Sequence, residues 1–173
     1  MILRQRQDKS GPSAAALQKL YVMRLALFEP DIPQNTGTLM RLCACMGVAL
    51  DIIEPCGFLL TDKNLRRAGM DYLEHLDMTR HADWQMFRTA RQGNRLVLLT
   101  TKSQDSFLDF RFRPDDVLVA GRESSGVPRH VHEACDARLI VPMKKDVRSL
   151  NVAVAAAMAL SEGLRQCRLY PSP

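Results

Sequence analysis

The sequence predicts an α/β fold: a mostly parallel sheet flanked by helices. Short apolar runs of strand length recur along the chain, and stretches with helical spacing separate them. Such alternation implies parallel strands joined by crossover helices that cover both faces of the sheet. A chain of 173 residues, 46% of them hydrophobic, can bury one core and is short for two.

The elements follow in order. MRLALFE, Met23 to Glu29, reads as a first buried strand, and DIPQNTG after it as a loop with Pro33 and Gly37 as breakers. TLMRLCACMG has helical spacing that turns Leu39, Leu42, Cys43 and Met46 inward, with Gly47 as a stop. VALDIIEP is a second strand. DKNLRRAG, Asp62 to Gly69, suggests a short basic helix, and ADWQMFRTAR, Ala82 to Arg91, a longer amphipathic one. RLVLLTTK, Arg95 to Lys102, is the third clear strand. DVLVAG, RHVHEAC and ARLIVP continue as strand, short helix and strand, and a long final helix runs from Ser149. Nothing resembling a repeat or linker interrupts residues 23–168, which read as one domain. Residues 1–22 are expected to be a disordered extension and 169–173 a short tail.

Composition narrows the class further. A formal net charge of +5 and a pI of about 9.1 suit a polyanionic partner such as nucleic acid. Five cysteines, without CxxC spacing, read as reduced thiols of a cytoplasmic protein. The small-residue run Leu150 to Leu160 falls well short of the roughly 20 apolar residues that a spanning helix needs. His75, His81, His130 and His132 fit no metal motif, and no metal is expected.

Three loops that follow apolar strands are unlike ordinary turns, and ligands of open α/β sheets gather beyond the carboxyl ends of strands. They are PQNTGTLMR, GRESSGVP and PMKKDVRSLN. In the first, Asn35 and Thr36 read as a helix cap or as site residues, and Arg41 as an exposed cation or a phosphate ligand. In the second, Gly121 and Gly126 permit close backbone approach, Glu123 supplies a carboxylate and Pro128 can begin a helix. In the third, Ser149 or Asn151 can cap the final helix or meet a ligand. The phosphate-binding fingerprints GxGxxG and GxxxxGK[ST] are absent, which weakens a nicotinamide-dependent reading.

Taken together, in this order and spacing, the three stretches resemble the motifs of the SPOUT superfamily of RNA methyltransferases. The sequence is most similar to the small tRNA (cytidine/uridine wobble) 2′-O-methyltransferases, through LFEPDIPQNTGTLMRLCACMG, DIIEPCGF, LRRAGMDYLE, LTTKS, GRESSGVP and VPMKKDVRSLN. The resemblance implies a C-terminal trefoil knot, a homodimer and methyl transfer from S-adenosylmethionine to a ribose 2′-hydroxyl of tRNA, leaving S-adenosylhomocysteine. It implies a cofactor pocket at Leu99, Gly121, Val141, Ser149 and Leu150. Arg41, Asn35, Glu123, Ser149 and Asn151 correspond to the motifs' reacting or RNA-facing residues. Lys63, Arg66, Arg67, Lys144, Lys145 and Arg148 become candidate contacts to the tRNA backbone, with the anticodon stem-loop as the expected region. Relatives vary at two loop positions, carrying proline in place of Arg122 or a basic residue in place of Ser125. A relative acting on another tRNA position or on rRNA, or a silent RNA-binding protein of the same fold, are the competing readings.

Overall fold

The computed structural model describes residues 23–60, 75–147 and 149–172. The expected extension 1–22, the basic helix Asp62 to Gly69, and Lys63, Arg66, Arg67 and Arg148 lie outside them. Among the described residues, six parallel strands form one sheet. They are β1 (Arg24–Phe28), β2 (Ala49–Ile53), β3 (Met78–His81), β4 (Leu96–Leu99), β5 (Val117–Ala120) and β6 (Ala137–Leu139). Their spatial order is β3-β2-β1-β5-β4-β6, so β1 and β5 are central.

Helices cover both faces, as continuous apolar strands require. On β1, Leu25 and Leu27 join one core with Leu39, Met40 and Cys43 of helix α1 (Pro33–Met46). Helix α4 (Val152–Cys167) supplies Ala156, Ala159, Leu160 and Leu164 to that same core. The alternate β1 residues, Ala26 and Phe28, face a second core on the other side of the sheet. There they meet Phe87 of α2 (Trp84–Ala90) and Val131 of α3 (Arg129–Ala134).

The small residues of α4 let it lie close to the sheet. Ala153, Ala156, Ala159 and Gly163 form its buried stripe, and a Cβ on Gly163 would come within 2.8 Å of Met23 Sδ. Among the described residues no helix is long and apolar enough to cross a membrane.

Three sequence expectations need correction, one being the start of the final helix, which lies at Val152 with Asn151 as its cap and not at Ser149. Helix α1 begins at Pro33 rather than near Thr38, because proline at the first helical position lacks only an N–H that would be unpaired there anyway. Pro33 therefore starts the helix, Gly37 lies inside it, and Asn35 and Thr36 are not its cap; Ile32 is, with Thr36 Oγ1 donating to the Ile32 carbonyl at 3.2 Å. Gly47 does end it, at φ 64°. The sequence pattern does not predict the edge strand β3, since MTRH offers one buried residue, His81.

A buried ion cluster ties β1, β2 and β3 to the end of α2. Asp51 is 0% exposed and accepts from Arg24 Nε at 2.8 Å, Arg91 Nη2 at 2.6 Å and His81 Nε2 at 2.8 Å. Burial alone would push its carboxyl up, but hydrogen bonds from Arg91, Arg24 and His81 outweigh this and hold it below the ordinary range.

Candidate functional site

Beyond the carboxyl ends of β1, β4, β5 and β6 lies a cavity of about 530 Å³. The sheet order brings three distant segments to its rim: the loop into α1, the loop after β5 and the head of α4. Leu99, Gly121, Val141, Ser149 and Leu150, the five expected cofactor positions, all line it. So do Asn35, Glu123 and Asn151.

The loop after β5 is a closed turn. Arg122 N–H donates to the Gly126 carbonyl at 3.0 Å and Gly126 N–H returns a bond to the Arg122 carbonyl at 2.9 Å. Gly126 sits at φ 70°, where glycine is unstrained. Arg122 pairs with Glu29 at 2.5 Å and so moors the loop to the end of β1.

From this loop a chain of hydrogen bonds crosses the cavity rim. Asn151 caps α4, its Oδ1 accepting from the N–H groups of Ala153 at 2.9 Å and Val154 at 3.3 Å. That leaves Asn151 Nδ2 to donate to Asn35 Oδ1 at 2.9 Å. Asn35 Nδ2 must then donate outward, and it meets Glu123 Oε1 at 3.1 Å. Asp31 N–H donates to the other carboxyl oxygen, Oε2, at 3.3 Å. Asn35 Nδ2 and Asp31 N–H thus each donate to a different carboxyl oxygen of Glu123, and an amide in its place would lose one of the two bonds.

Burial first, and then neighbouring Asp31, push the Glu123 carboxyl above its ordinary value. Asp31 is held down to about 2, chiefly by hydrogen bonding with Glu123 and also by Ser124.

Ser149 is exposed at the rim and does not share the capping role of Asn151. Arg41 is an exposed residue of α1 and is not part of the cavity wall, and Lys144 and Lys145 are exposed on the segment leading to α4. Among the wall residues to which the sequence assigns no site role are Lys102 and His132. Lys102 follows β4, and His132 of α3 accepts from Arg138 Nε at its Nδ1, 3.2 Å away, leaving the buried Nε2 without a protein partner. Neither has a sequence signal stronger than its place after a strand or near a motif loop.

Comparison with known proteins gives this arrangement its context. The chain is 57% identical over 144 residues to a protein of Beijerinckia indica subsp. indica named tRNA (cytidine(34)-2′-O)-methyltransferase, covering 82% of this chain and 90% of that one. A protein of the same name from Escherichia coli K12 is 41% identical over 147 residues, covering 84% and 94%. A solved structure described as giving structural insights into the 2-OH methylation of C/U34 on tRNA superposes with a TM-score of 0.79 at 39% identity. That match covers 84% of this chain and 96% of the other. The model of the SpoU rRNA methylase family spans residues 22–161, and with matches of this extent the chain belongs to that family.

Proposed function

We propose that this protein transfers a methyl group from S-adenosylmethionine to the ribose 2′-hydroxyl of the wobble nucleotide of tRNA, cytidine or modified uridine 34. The observation that carries this reading is the meeting of the three motif loops around one cavity, in a chain with extensive identity to enzymes named for that reaction.

The cavity fits an adenosyl ligand. Its volume lies in the ordinary range for small-molecule sites, roughly 300–1,000 Å³, and Leu99, Ile140, Val141 and Leu150 give it apolar walls. Leu99, Gly121, Val141, Ser149 and Leu150 would hold the group, with loop backbone available to its polar edges. When bound, S-adenosylmethionine supplies an already activated methyl on a sulfonium centre. The work left to the chain is to orient the 2′-oxygen and to let its proton pass to water as the methyl is transferred; orientation contributes up to about 7–11 kcal/mol where the geometry is near ideal. The Asn151–Asn35–Glu123 series restricts the rim to one arrangement before substrate arrives. No metal is part of this scheme.

Arg41 holds an RNA phosphate or stabilises the developing 2′-alkoxide, acting across a homodimer. An arginine side chain stays protonated in proteins, which suits stabilisation rather than proton abstraction. Arg41→Lys keeps the charge and loses the planar fork, so turnover is expected to fall about tenfold or more. Wild-type turnover in a sensitive methyl-transfer assay would remove Arg41 from the scheme.

The homodimer has support in exposed apolar side chains beside the cavity: Val147, Leu150, Val154 and Met158. The trefoil knot of the C-terminal segment, and residues 23–168 as one catalytic domain, belong to the same proposal. Cytoplasmic location accords with five free cysteines.

Lys144 and Lys145, with Lys63, Arg66, Arg67 and Arg148, bind the tRNA backbone around the anticodon stem-loop. Affinity for tRNA should then fall steeply with added salt, and the double variant Lys144→Ala, Lys145→Ala should lower the log–log salt slope by about 1–2. A slope equal to that of the wild type would place these two lysines off the RNA. Purified protein with labelled methyl donor and tRNA provides the direct test of the activity, and absence of label in the ribose would refute it.

A further inference from the structure

We propose that Asp31 is a positioning residue of the methyl-transfer site, setting the reach of Glu123 and through it the rim formed by Asn35 and Asn151. The inference rests on the methyl-transfer reading above.

Asp31 follows β1 and does not line the cavity, yet it grips the loop after β5 at three points. Its Oδ1 accepts from Glu123 N–H at 3.1 Å, its Oδ2 accepts from the Ser124 hydroxyl, and its own N–H donates to Glu123 Oε2 at 3.3 Å. The first two bonds fix the backbone from which the Glu123 side chain starts; the third fixes where that side chain ends. Glu123 is held at root and tip by one residue.

Asp31 is itself braced from behind. Gly57 N–H donates to the Pro30 carbonyl at 2.9 Å, and a Cβ on Gly57 would lie 2.9 Å from both Asp31 Cα and Asp31 Cβ. The segment after β2 therefore lies directly against Asp31 and limits its retreat from the loop. A carboxyl group held near 2 stays ionised, and so an acceptor, across the neutral range.

The hydrogen-bond directions then run without a break from Asp31 to α4. Glu123 accepts from Asn35, Asn35 accepts from Asn151, and Asn151 accepts from the first N–H groups of the helix. Loss of the Asp31 side chain leaves the Asn35–Asn151–helix portion of this series and the Asp31 N–H bond to Glu123 in place, but it releases Glu123 N–H and the Ser124 hydroxyl, so the loop from which Glu123 starts can drift. A misplacement of about 1 Å can cost on the order of 100-fold in rate.

The test is a double-mutant cycle on methyl transfer to tRNA, with S-adenosylhomocysteine binding followed by titration. Asp31→Ala is expected to lower kcat about tenfold or more while tRNA KM changes less than about twofold. Asp31→Asn, which keeps an acceptor for Glu123 N–H, should recover turnover to within about threefold of wild type. In a Glu123→Ala background the same Asp31→Ala change should cost less than about twofold, because residues acting in series are not additive. Should Asp31→Ala fail to fold in a melting experiment, Asp31→Ser, too short to reach the loop, carries the same expectations. Unchanged kcat, or an equal loss with and without Glu123, overturns the proposal. Failure of wild-type protein to methylate tRNA would instead defeat the underlying functional reading, while the titration would still report whether Asp31 shapes the cavity.

Discussion

Gly121→Ala is expected to reduce methyl transfer about 100-fold and to weaken S-adenosylhomocysteine binding, in a protein that still folds. A Cβ at this position would lie 2.7 Å from Gly126 C, 3.0 Å from Gly126 Cα and 2.9 Å from Val127 Cγ1. Two of these atoms are backbone and cannot rotate away. The turn they belong to is closed by the paired Arg122 and Gly126 bonds, so the added methyl must push the turn open or displace β5. Overpacking of this kind typically costs about 1–3 kcal/mol, which a folded domain can survive. Glu123 rides on the same turn, so the displacement reaches the cavity rim directly. Calorimetric titration and single-turnover kinetics would check the effect; wild-type affinity and rate would mean that the turn yields without moving the site.

The second large effect lies in the middle of β2. Asp51→Ala should destabilise the protein by about 3–5 kcal/mol, because it leaves Arg24, Arg91 and His81 gathered around an empty buried position. Urea unfolding would measure the loss, and a change below about 1 kcal/mol would show the cluster to be of little consequence. The sign of the pH dependence follows from the same geometry. The Asp51 carboxyl is lowered in the folded protein, so its stabilisation is complete above the unfolded-state value of about 3.9. As pH falls below that value and through the lower folded one, the contribution is lost. Asp51→Ala should therefore flatten the acid limb of the stability curve.

How far the sequence reveals this molecule depends on where the information is stored. Strands β1, β2, β4 and β5 were legible because each is a nearly continuous apolar run, buried on both faces of a parallel sheet. The edge strand β3 escaped because its best-buried side chain, His81, is polar and pays its way through Asp51 rather than through a hydrophobic pattern. Pro33 misled for a local reason: the same ring that breaks a helix interior is well suited to its first turn.

The candidate site shows the same division. Asn35, Glu123 and Asn151 each had an ordinary explanation as a cap or a charged turn residue, and only their order along the chain pointed to one place. The structure joins them by direct hydrogen bonds. Asp31 was hidden because its partners lie 92 and 93 residues away, beyond any local pattern. Its meaning comes from the sheet order, which sets β1 beside β5 and so the loop holding Asp31 beside the loop holding Glu123.

The central claim concerns one ribose in tRNA, and it is most directly measured there. Ribose methylation should be mapped by mass spectrometry at nucleotide 34 in tRNA from cells with the gene, without it, and with it restored. The account predicts that the 2′-O-methyl group at position 34 disappears with the gene and returns with it, while methylation elsewhere is unchanged. Wobble methylation that persists without the protein, or a loss confined to another position, would contradict it.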